Sequence, residues 1–226
     1  MNPWNGVDIR LGNVTVTCRD ETMDKEISRK VIEGECYREM NLRKADVLLD
    51  GGANIGAFSL WAYKKAASII ALEPEINNYT LLRRNLESNG VSNVAPMLGA
   101  IVGNNDRYRQ LYVNLQRNQS SHSFLVRRGR NEQLTECQNI NAIIAKYGIT
   151  AIKLDVEGAE LEILNAITEK KWENIRSLAL EYHFNALRDK DHKLYYKMIK
   201  MLKTHFEHVH HIKPQKHWTC IVLAHK

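Results

Sequence analysis

The stretch Val47 to Ser59, VLLDGGANIGAFS, leaves this chain few folds to choose from. Val47, Leu48 and Leu49 form a continuous apolar run, the mark of a strand covered on both faces, and such strands belong to parallel sheets with helices on either side. Asp50 ends the run with a carboxylate. Gly51, Gly52 and Gly56 then make a turn in which the backbone can approach a ligand with no Cβ in the way. Phe58 and Leu60 return the chain to the core. A strand, a glycine turn and a helix in immediate succession describe a ligand cradle in an α/β sheet.

The spacing D-x-G-A-N-x-G matches neither the G-x-G-x-x-G of dinucleotide folds nor the G-x-x-x-x-G-K-[ST] of a P-loop. With no lysine following to hold phosphate, the expected ligand is a nucleoside that carries none. Ser68 to Glu75, SIIALEPE, supplies a second apolar strand ending in Glu73 and Pro74. An acid about 20 residues beyond the glycine turn is where α/β folds grip ribose hydroxyls, so Glu73 is the expected ribose ligand. Its bland alternative is a solvated glutamate before a turn proline.

The first part of the chain adds a hairpin, Val7–Arg10 and Val14–Cys18 around Gly12-Asn13, expected to cap a sheet edge. A helix over Glu21 to Glu33 follows, with Met23, Ile27, Val31 and Ile32 on one face. It either lies over the cofactor as a lid or covers the sheet. Glu75 to Asn89 is a helix stopped by Gly90, and a third strand is expected over Asn93 to Ala100, where Gly99 and Ala100 leave room for an adenine ring. Gly103 to Asn139 is polar, rich in arginine (Arg107, Arg109, Arg117, Arg127, Arg128, Arg130) and irregular apart from a strand signal at Leu111–Val113. Substrate recognition is expected there, with Ser120 to Ser123 as a polar loop tip.

A helix over Asn139 to Tyr147 leads to a fourth buried strand, Ile149 to Asp155, followed by Glu157 and Glu160. The helix dipole, worth roughly 0.3–1 kcal/mol to an anion at a helix start, accounts for Glu160 better than for Asp155. A fifth strand, Ile175 to Tyr182, delivers Glu181 and His183 to the same edge, and Phe206–Ile212 with Trp218–Ala224 reads as a closing antiparallel hairpin. His208 and His210 share one strand face and are expected to be exposed rather than metal ligands.

With 226 residues the chain suits one α/β domain spanning 1–226, with 1–40 as an extension packed on it. Met1 to Arg10 lacks the regions of a leader peptide, and no apolar run nears the roughly 18 residues of a membrane span, so a cytoplasmic protein away from membranes is expected. Cys18, Cys36, Cys137 and Cys220 form no C-x-x-C pair, which argues for reduced thiols and against a zinc knuckle or redox motif.

LDGGANIGAFS, ALEPEINNYTLLRRNLESNGVSNV and IKLDVEGAELEIL together resemble the FkbM family of S-adenosylmethionine-dependent methyltransferases, from about Glu21 to His183. The resemblance implies the class I methyltransferase fold: a doubly wound, seven-stranded α/β sheet of order 3-2-1-4-5-7-6, mostly parallel with an antiparallel last strand, and helices on both faces. It implies S-adenosylmethionine as cofactor, with Asp50, Gly52, Ala53, Asn54 and Gly56 on the methionine and ribose side, Glu73 and Pro74 at the ribose, and Asp155, Glu157 and His183 at the edge where transfer occurs. Asn78 is assigned no role, and Gly51 stands where a small apolar residue is more usual.

The family's usual acceptor is a hydroxyl on a sugar, polyketide or similar metabolite, and the arginines suit a few negative charges on it. A hydroxyl needs a base, worth roughly 10²–10⁴-fold. His183 is expected to be that base, an imidazole near its ordinary pKa, with Asp155 and Glu157 orienting; alternatively it packs against the next helix. No metal is assigned, since the spacing of Asp155 and Glu157 is generic. A nucleic-acid methyltransferase and a non-catalytic cofactor-binding protein are the rival readings. Oligomeric state is not legible.

Overall fold

A computed structural model describes residues 6–34, 36–114, 122–125, 131–184, 192–212 and 219–226. In chain order the elements are β1 (Gly6–Leu11), β2 (Val14–Arg19), α1 (Asp24–Ile32), β3 (Val47–Gly51), α2 (Ala57–Ala62), β4 (Ser68–Glu73) and α3 (Ile76–Ser88). Then come β5 (Val94–Leu98), β6 (Ala100–Val102), β7 (Tyr108–Val113), β8 (Asn131–Asn139), α4 (Ile140–Tyr147) and β9 (Ala151–Leu154). The rest is α5 (Glu160–Ala166), α6 (Glu169–Trp172), β10 (Ser177–His183), α7 (Lys193–His205), β11 (His208–Ile212) and β12 (Thr219–His225).

Seven strands form the main sheet in the order β5-β4-β3-β9-β10-β12-β11. Its central pairs are parallel, with Asp50 opposite Ala71 and Gly51 opposite Leu154, while β12 runs antiparallel to both neighbours. Numbered along the chain within this sheet, the order is 3-2-1-4-5-7-6, as the resemblance implied. The apolar run of β3 follows from double coverage. Leu48 packs among Leu81, Leu82 and Phe58 on the α1, α2 and α3 side, whereas Leu49 packs among Ile140, Ile163 and Met198 on the α4, α5 and α7 side. Successive side chains point to opposite faces, and both are fully buried.

Local signals place the helix ends. The Glu75 carboxylate accepts the Asn78 N–H (2.8 Å) at the start of α3, and Asn139 Oδ1 accepts those of Asn141 (2.9 Å) and Ala142 (3.3 Å) at the start of α4. Among the described residues no helix is long and apolar enough to cross a membrane.

Three expectations need correction. The β1–β2 hairpin is a separate two-stranded sheet seated on α3 and α1, not an edge cap. Its anchor is Asn85, buried in α3, whose Oδ1 accepts the Thr17 N–H (2.8 Å) while Nδ2 donates to Ile55 O (2.8 Å) and Thr17 O (3.2 Å). Asn85→Ala orphans these backbone groups and is expected to cost about 1–3 kcal/mol in urea unfolding; a loss within experimental error would show that the hairpin carries no stability. Helix α1 packs on α2 and β2 through Asp24, Ser28 and Val31, with Met23 exposed outside it, so it is a cover and not a lid.

The third correction concerns the region after β5. The expected third strand is broken at Gly99 (φ 154°), so that β6 leaves the main sheet and pairs with β8. β7 pairs antiparallel with β8, and Cys137 lies opposite Ala100. The arginine-rich region is therefore a three-stranded sheet, β6-β8-β7, beside the carboxyl ends of the main strands. Arg117, Arg127, Arg128, Arg130, Ser120 and Ser121 lie outside the described residues.

Candidate active site

The carboxyl ends of β3, β4 and β9 open on a cleft, roofed by Leu111, His122 and Phe124 from the β7 side. Open α/β sheets bind their ligands in this position. Of the residues picked out by sequence, Gly52, Asn54, Glu73, Pro74, Gly99, Ala100, Asp155 and Glu157 line it. Asp50, Ala53 and Gly56 stand behind the wall. Asp50 is fully buried, Ala53 is part of the core, and the Cβ position of Gly56 lies 2.8 Å from a Leu82 methyl, so that glycine serves helix packing.

Glu73 sits at the floor, 4% exposed. Its carboxylate accepts the N–H groups of Asn54 (2.8 Å) and Glu75 (3.0 Å) and the Asn78 amide (3.3 Å), so one acid ties the glycine turn to the start of α3. Burial pushes its pKa up to about 7, against those hydrogen bonds, which pull it down. Asn78, given no role by sequence, lines the cleft beside it. Asn54 Oδ1 and Asn78 Oδ1 are buried without a hydrogen-bond partner. Buried oxygens of this kind call for a donor, which a bound ligand can bring.

Behind the glycine turn stands Lys153, a residue that the sequence reading missed. The ammonium is 3% exposed and donates to Gly52 O (2.8 Å) and Gly51 O (3.4 Å), with Asp50 Oδ1 at 3.2 Å and Asp155 Oδ2 at 3.9 Å. Burial lowers its pKa, but Asp50 and Asp155 outweigh that and raise it, so it remains charged. The other oxygen of Asp50 accepts from Ser59 in α2 (2.7 Å). A lysine inside an otherwise apolar strand, Ile-Lys-Leu-Asp, was the available signal: an unpaired lysine is almost never fully buried.

At the mouth, Asp155, Glu157 and His183 come together. Asp155 directly follows β9, and Glu157 has a left-handed backbone (φ 51°), pinned where the Ser123 hydroxyl donates to its carbonyl (2.7 Å). Ser123 and His122 are buried, not a solvated loop tip. His183 Nδ1 lies 2.7 Å from Glu160 Oε1, and its Nε2 faces Glu157 (3.6 Å) and Asp155 (3.8 Å). Glu160 is fully buried and also accepts the Gly158 N–H (3.1 Å), so it is a partner of the histidine rather than a helix-dipole ornament.

The surroundings of His183 are not those of a free imidazole. Burial lowers its pKa, yet Glu160, Glu157 and Asp155 together raise it well above the usual imidazole value. Its Nδ1 is engaged by Glu160, so only Nε2 faces the mouth of the cleft. Burial likewise raises Glu157 to about 8, with Asp155 adding and His183 opposing. Of the arginines in that stretch, Arg109 is engaged in a two-pronged pair with Glu162 (2.7 Å each) and with Asp106 (2.9 Å).

Strand order, reversed last strand and a cleft at the strand ends define the class I methyltransferase fold. Residues 50–212 match the family model described as methyltransferase FkbM domain. The chain belongs to the FkbM family of methyltransferases.

Methyltransferase sdnD of Sordaria araneosa is 29% identical over 189 residues, 69% of this chain and 73% of that protein. The 31-O-demethyl-FK506 methyltransferase FkbM of Streptomyces tacrolimicus is 25% identical over 189 residues, with 69% and 73% covered. Among solved structures, methyltransferase FkbM from Methylobacillus flagellatus superposes with a TM-score of 0.52 at 19% identity, covering 82% of this chain and 45% of that one. M. jannaschii TYW2, solved in complex with AdoMet, gives 0.53 at 12% identity, covering 99% and 87%. At these identities the solved structures speak to the fold alone.

Proposed function

We propose that this methyltransferase uses S-adenosylmethionine and transfers its methyl group to a hydroxyl of a small molecule. The carrying observation is the cleft itself: a buried acid at its floor, Glu73, flanked by the unpartnered oxygens of Asn54 and Asn78, and a carboxylate pair at its mouth. Those oxygens fit a ligand rich in donors, such as a nucleoside with an amine, and the bare Cα of Gly52 lets the turn close against the Asp155 backbone beside them. In this reading Glu73 takes the ribose hydroxyls, Gly99 and Ala100 flank the adenine, and Asn54 and Asn78 supply further acceptors. The cofactor supplies an activated methyl on a sulfonium. The chain's part is alignment, which contributes most of the acceleration in a displacement of this type.

Asp155, Glu157 and His183 face the place of the acceptor. Three features support a small acceptor: the roof of Leu111, His122 and Phe124 over the cleft, the pairing of Arg109 within the protein, and the relative named for a hydroxyl of FK506. The buried, unbridged thiols Cys18, Cys36 and Cys220 suit a cytoplasmic setting.

Calorimetry with S-adenosylhomocysteine tests the cofactor. Glu73→Ala is expected to weaken binding by roughly 1.5–3 kcal/mol, the value of a charge-assisted hydrogen bond. An affinity unchanged in the variant, or no binding by the native chain, would remove the basis for this reading. The pH dependence follows from the raised Glu73. Ribose donors favour its ionised form, so affinity should rise with pH through about 7 and level off above. Folding stability runs the other way. A carboxyl raised in the folded state contributes stability at low pH and loses it as pH climbs from the ordinary carboxylate range through about 7. Both slopes should flatten in Glu73→Gln. Acceptor identity can be sought by comparing metabolites with and without the protein for a methyl-sized mass gain. Submicromolar RNA affinity that falls steeply with salt would favour a nucleic-acid acceptor instead.

A further inference from the structure

We propose that Asp155, Glu157 and His183 form a divalent-cation site at the mouth of the cleft, which holds and acidifies the acceptor hydroxyl. The inference rests on the methyltransferase reading above and assigns that site a partner. One ligand atom from each residue lies within 4.8 Å of the others. The imidazole Nε2 stands 3.6 Å from Glu157 Oε2 and 3.8 Å from Asp155 Oδ1. These separations are too long for hydrogen bonds. They are close to those of ligand atoms sharing one ion, since two bonds of about 2.0–2.2 Å meeting at 90–120° put their ends roughly 3–4 Å apart.

The carboxylates alone would carry no such conclusion, because acids gather at many strand ends without a metal. His183 is the independent observation. It is 7% exposed, and its Nε2 is aimed into the cluster with no hydrogen bond among the described residues. Its Nδ1 is held at 2.7 Å by Glu160, whose only exposure is to the protein interior. A carboxylate behind a histidine, fixing the tautomer and turning the far nitrogen forward, is the usual outer support of a metal-bound imidazole.

Charge points the same way. Four carboxyl groups, Asp155, Glu157, Glu160 and Glu181, surround one imidazole, and Glu181 acts electrostatically on both Asp155 and His183. The nearest buried lysine, Lys153, stands closer to Asp50 (3.2 Å) than to Asp155 (3.9 Å). Two carboxylates and one imidazole suit a first-row divalent ion with octahedral preferences, leaving positions for water or for the acceptor. Bound there, the acceptor hydroxyl loses its proton to solvent. Its oxygen then bonds to the methyl carbon, and the carbon–sulfur pair stays on sulfur, giving the methyl ether and a neutral thioether.

The test is Mn²⁺ alone titrated into the protein, free ion being read by its electron paramagnetic resonance signal. S-Adenosylhomocysteine affinity is measured by calorimetry on the same samples. One bound Mn²⁺ per chain is expected, lost at least tenfold in affinity in Asp155→Asn and in Glu157→Gln. Glu160→Gln, which alters the support of the histidine and keeps an oxygen for the Gly158 N–H, should weaken Mn²⁺ about 10–100-fold while leaving cofactor affinity unchanged. A purely structural Glu160 would leave Mn²⁺ affinity where it was. A native chain that binds the cofactor product but leaves all Mn²⁺ free overturns the cation site and spares the methyltransferase reading. Mn²⁺ binding that survives all three substitutions also overturns it. Failure to bind the cofactor product, whatever Mn²⁺ does, sinks the parent reading instead. If a variant does not fold, the native titration still decides.

Discussion

Replacing Lys153 with Met should destabilise the protein by about 3–5 kcal/mol, the cost of leaving a buried ion without its partner. Asp50 is fully buried and Lys153 is 3% exposed, so water cannot replace the missing ammonium. The carbonyl of Gly52 also loses the lysine as donor, while that of Gly51 keeps the Asp155 N–H (3.0 Å), which couples the fold's stability to the shape of the glycine turn. Against a total stability of 5–15 kcal/mol typical of natural domains, the loss is severe. Urea unfolding of Lys153→Met, Asp50→Asn and the double variant checks it. Neutralising Asp50 in the Met background should recover part of the loss, because the orphaned charge is then gone. A single-variant loss under about 1 kcal/mol, the scale of a surface pair, would show the contact to be idle. The sign with pH is also set. Lys153 is raised in the folded state, so its contribution is complete at neutral pH and disappears only above the range where lysines ordinarily deprotonate.

Gly52→Ala is expected to be nearly as damaging, and to abolish cofactor binding as well. At φ 73° a side chain is strained, and the added Cβ would lie 1.9 Å from the backbone oxygen of Asp155. A backbone atom cannot swing aside as a side-chain tip can, so either β9 separates from the turn or the turn unwinds. Strain and overpacking together should cost about 3 kcal/mol or more. Gly12→Ala is the control. Gly12 also has a positive φ (56°), but no atom lies within 4 Å of its Cβ position, so only the strain of about 1–2 kcal/mol applies. Equal melting temperatures for the two variants would mean that the close approach of Gly52 to Asp155 contributes nothing.

The cradle was legible in the sequence because its signals are local. An apolar run, a glycine turn and a following helix lie within one short segment, and Glu73 recurs at a fixed offset from them, so β3, β4 and α3 were found at nearly their observed limits. The resemblance then supplied the sheet order, which periodicity could not. Where the reading failed, the deciding partner was distant in the chain. β8 alternates poorly because β6-β8-β7 is only partly buried, and its existence depends on Gly99 turning the chain out of the main sheet. Ser123 is buried because the carbonyl of Glu157 receives it, and Glu160 is buried because His183 does.

By itself, the sequence determined that this chain would build a parallel α/β sheet around a glycine-walled cleft with an acid at its floor. Hydrophobic periodicity and glycine chemistry act over a few residues, and any sequence that carries them must bury both faces of its strands. Only the tertiary structure decided the partners and orientation of the groups in that cleft. Whether His183 is a free base or a histidine turned toward two carboxylates depends on Glu160 across 23 residues of chain, and on a burial that no window of sequence encodes. Electrostatic work depends on distance in space and on the exclusion of water, and folding sets both of these only once β9, α5 and β10 have met.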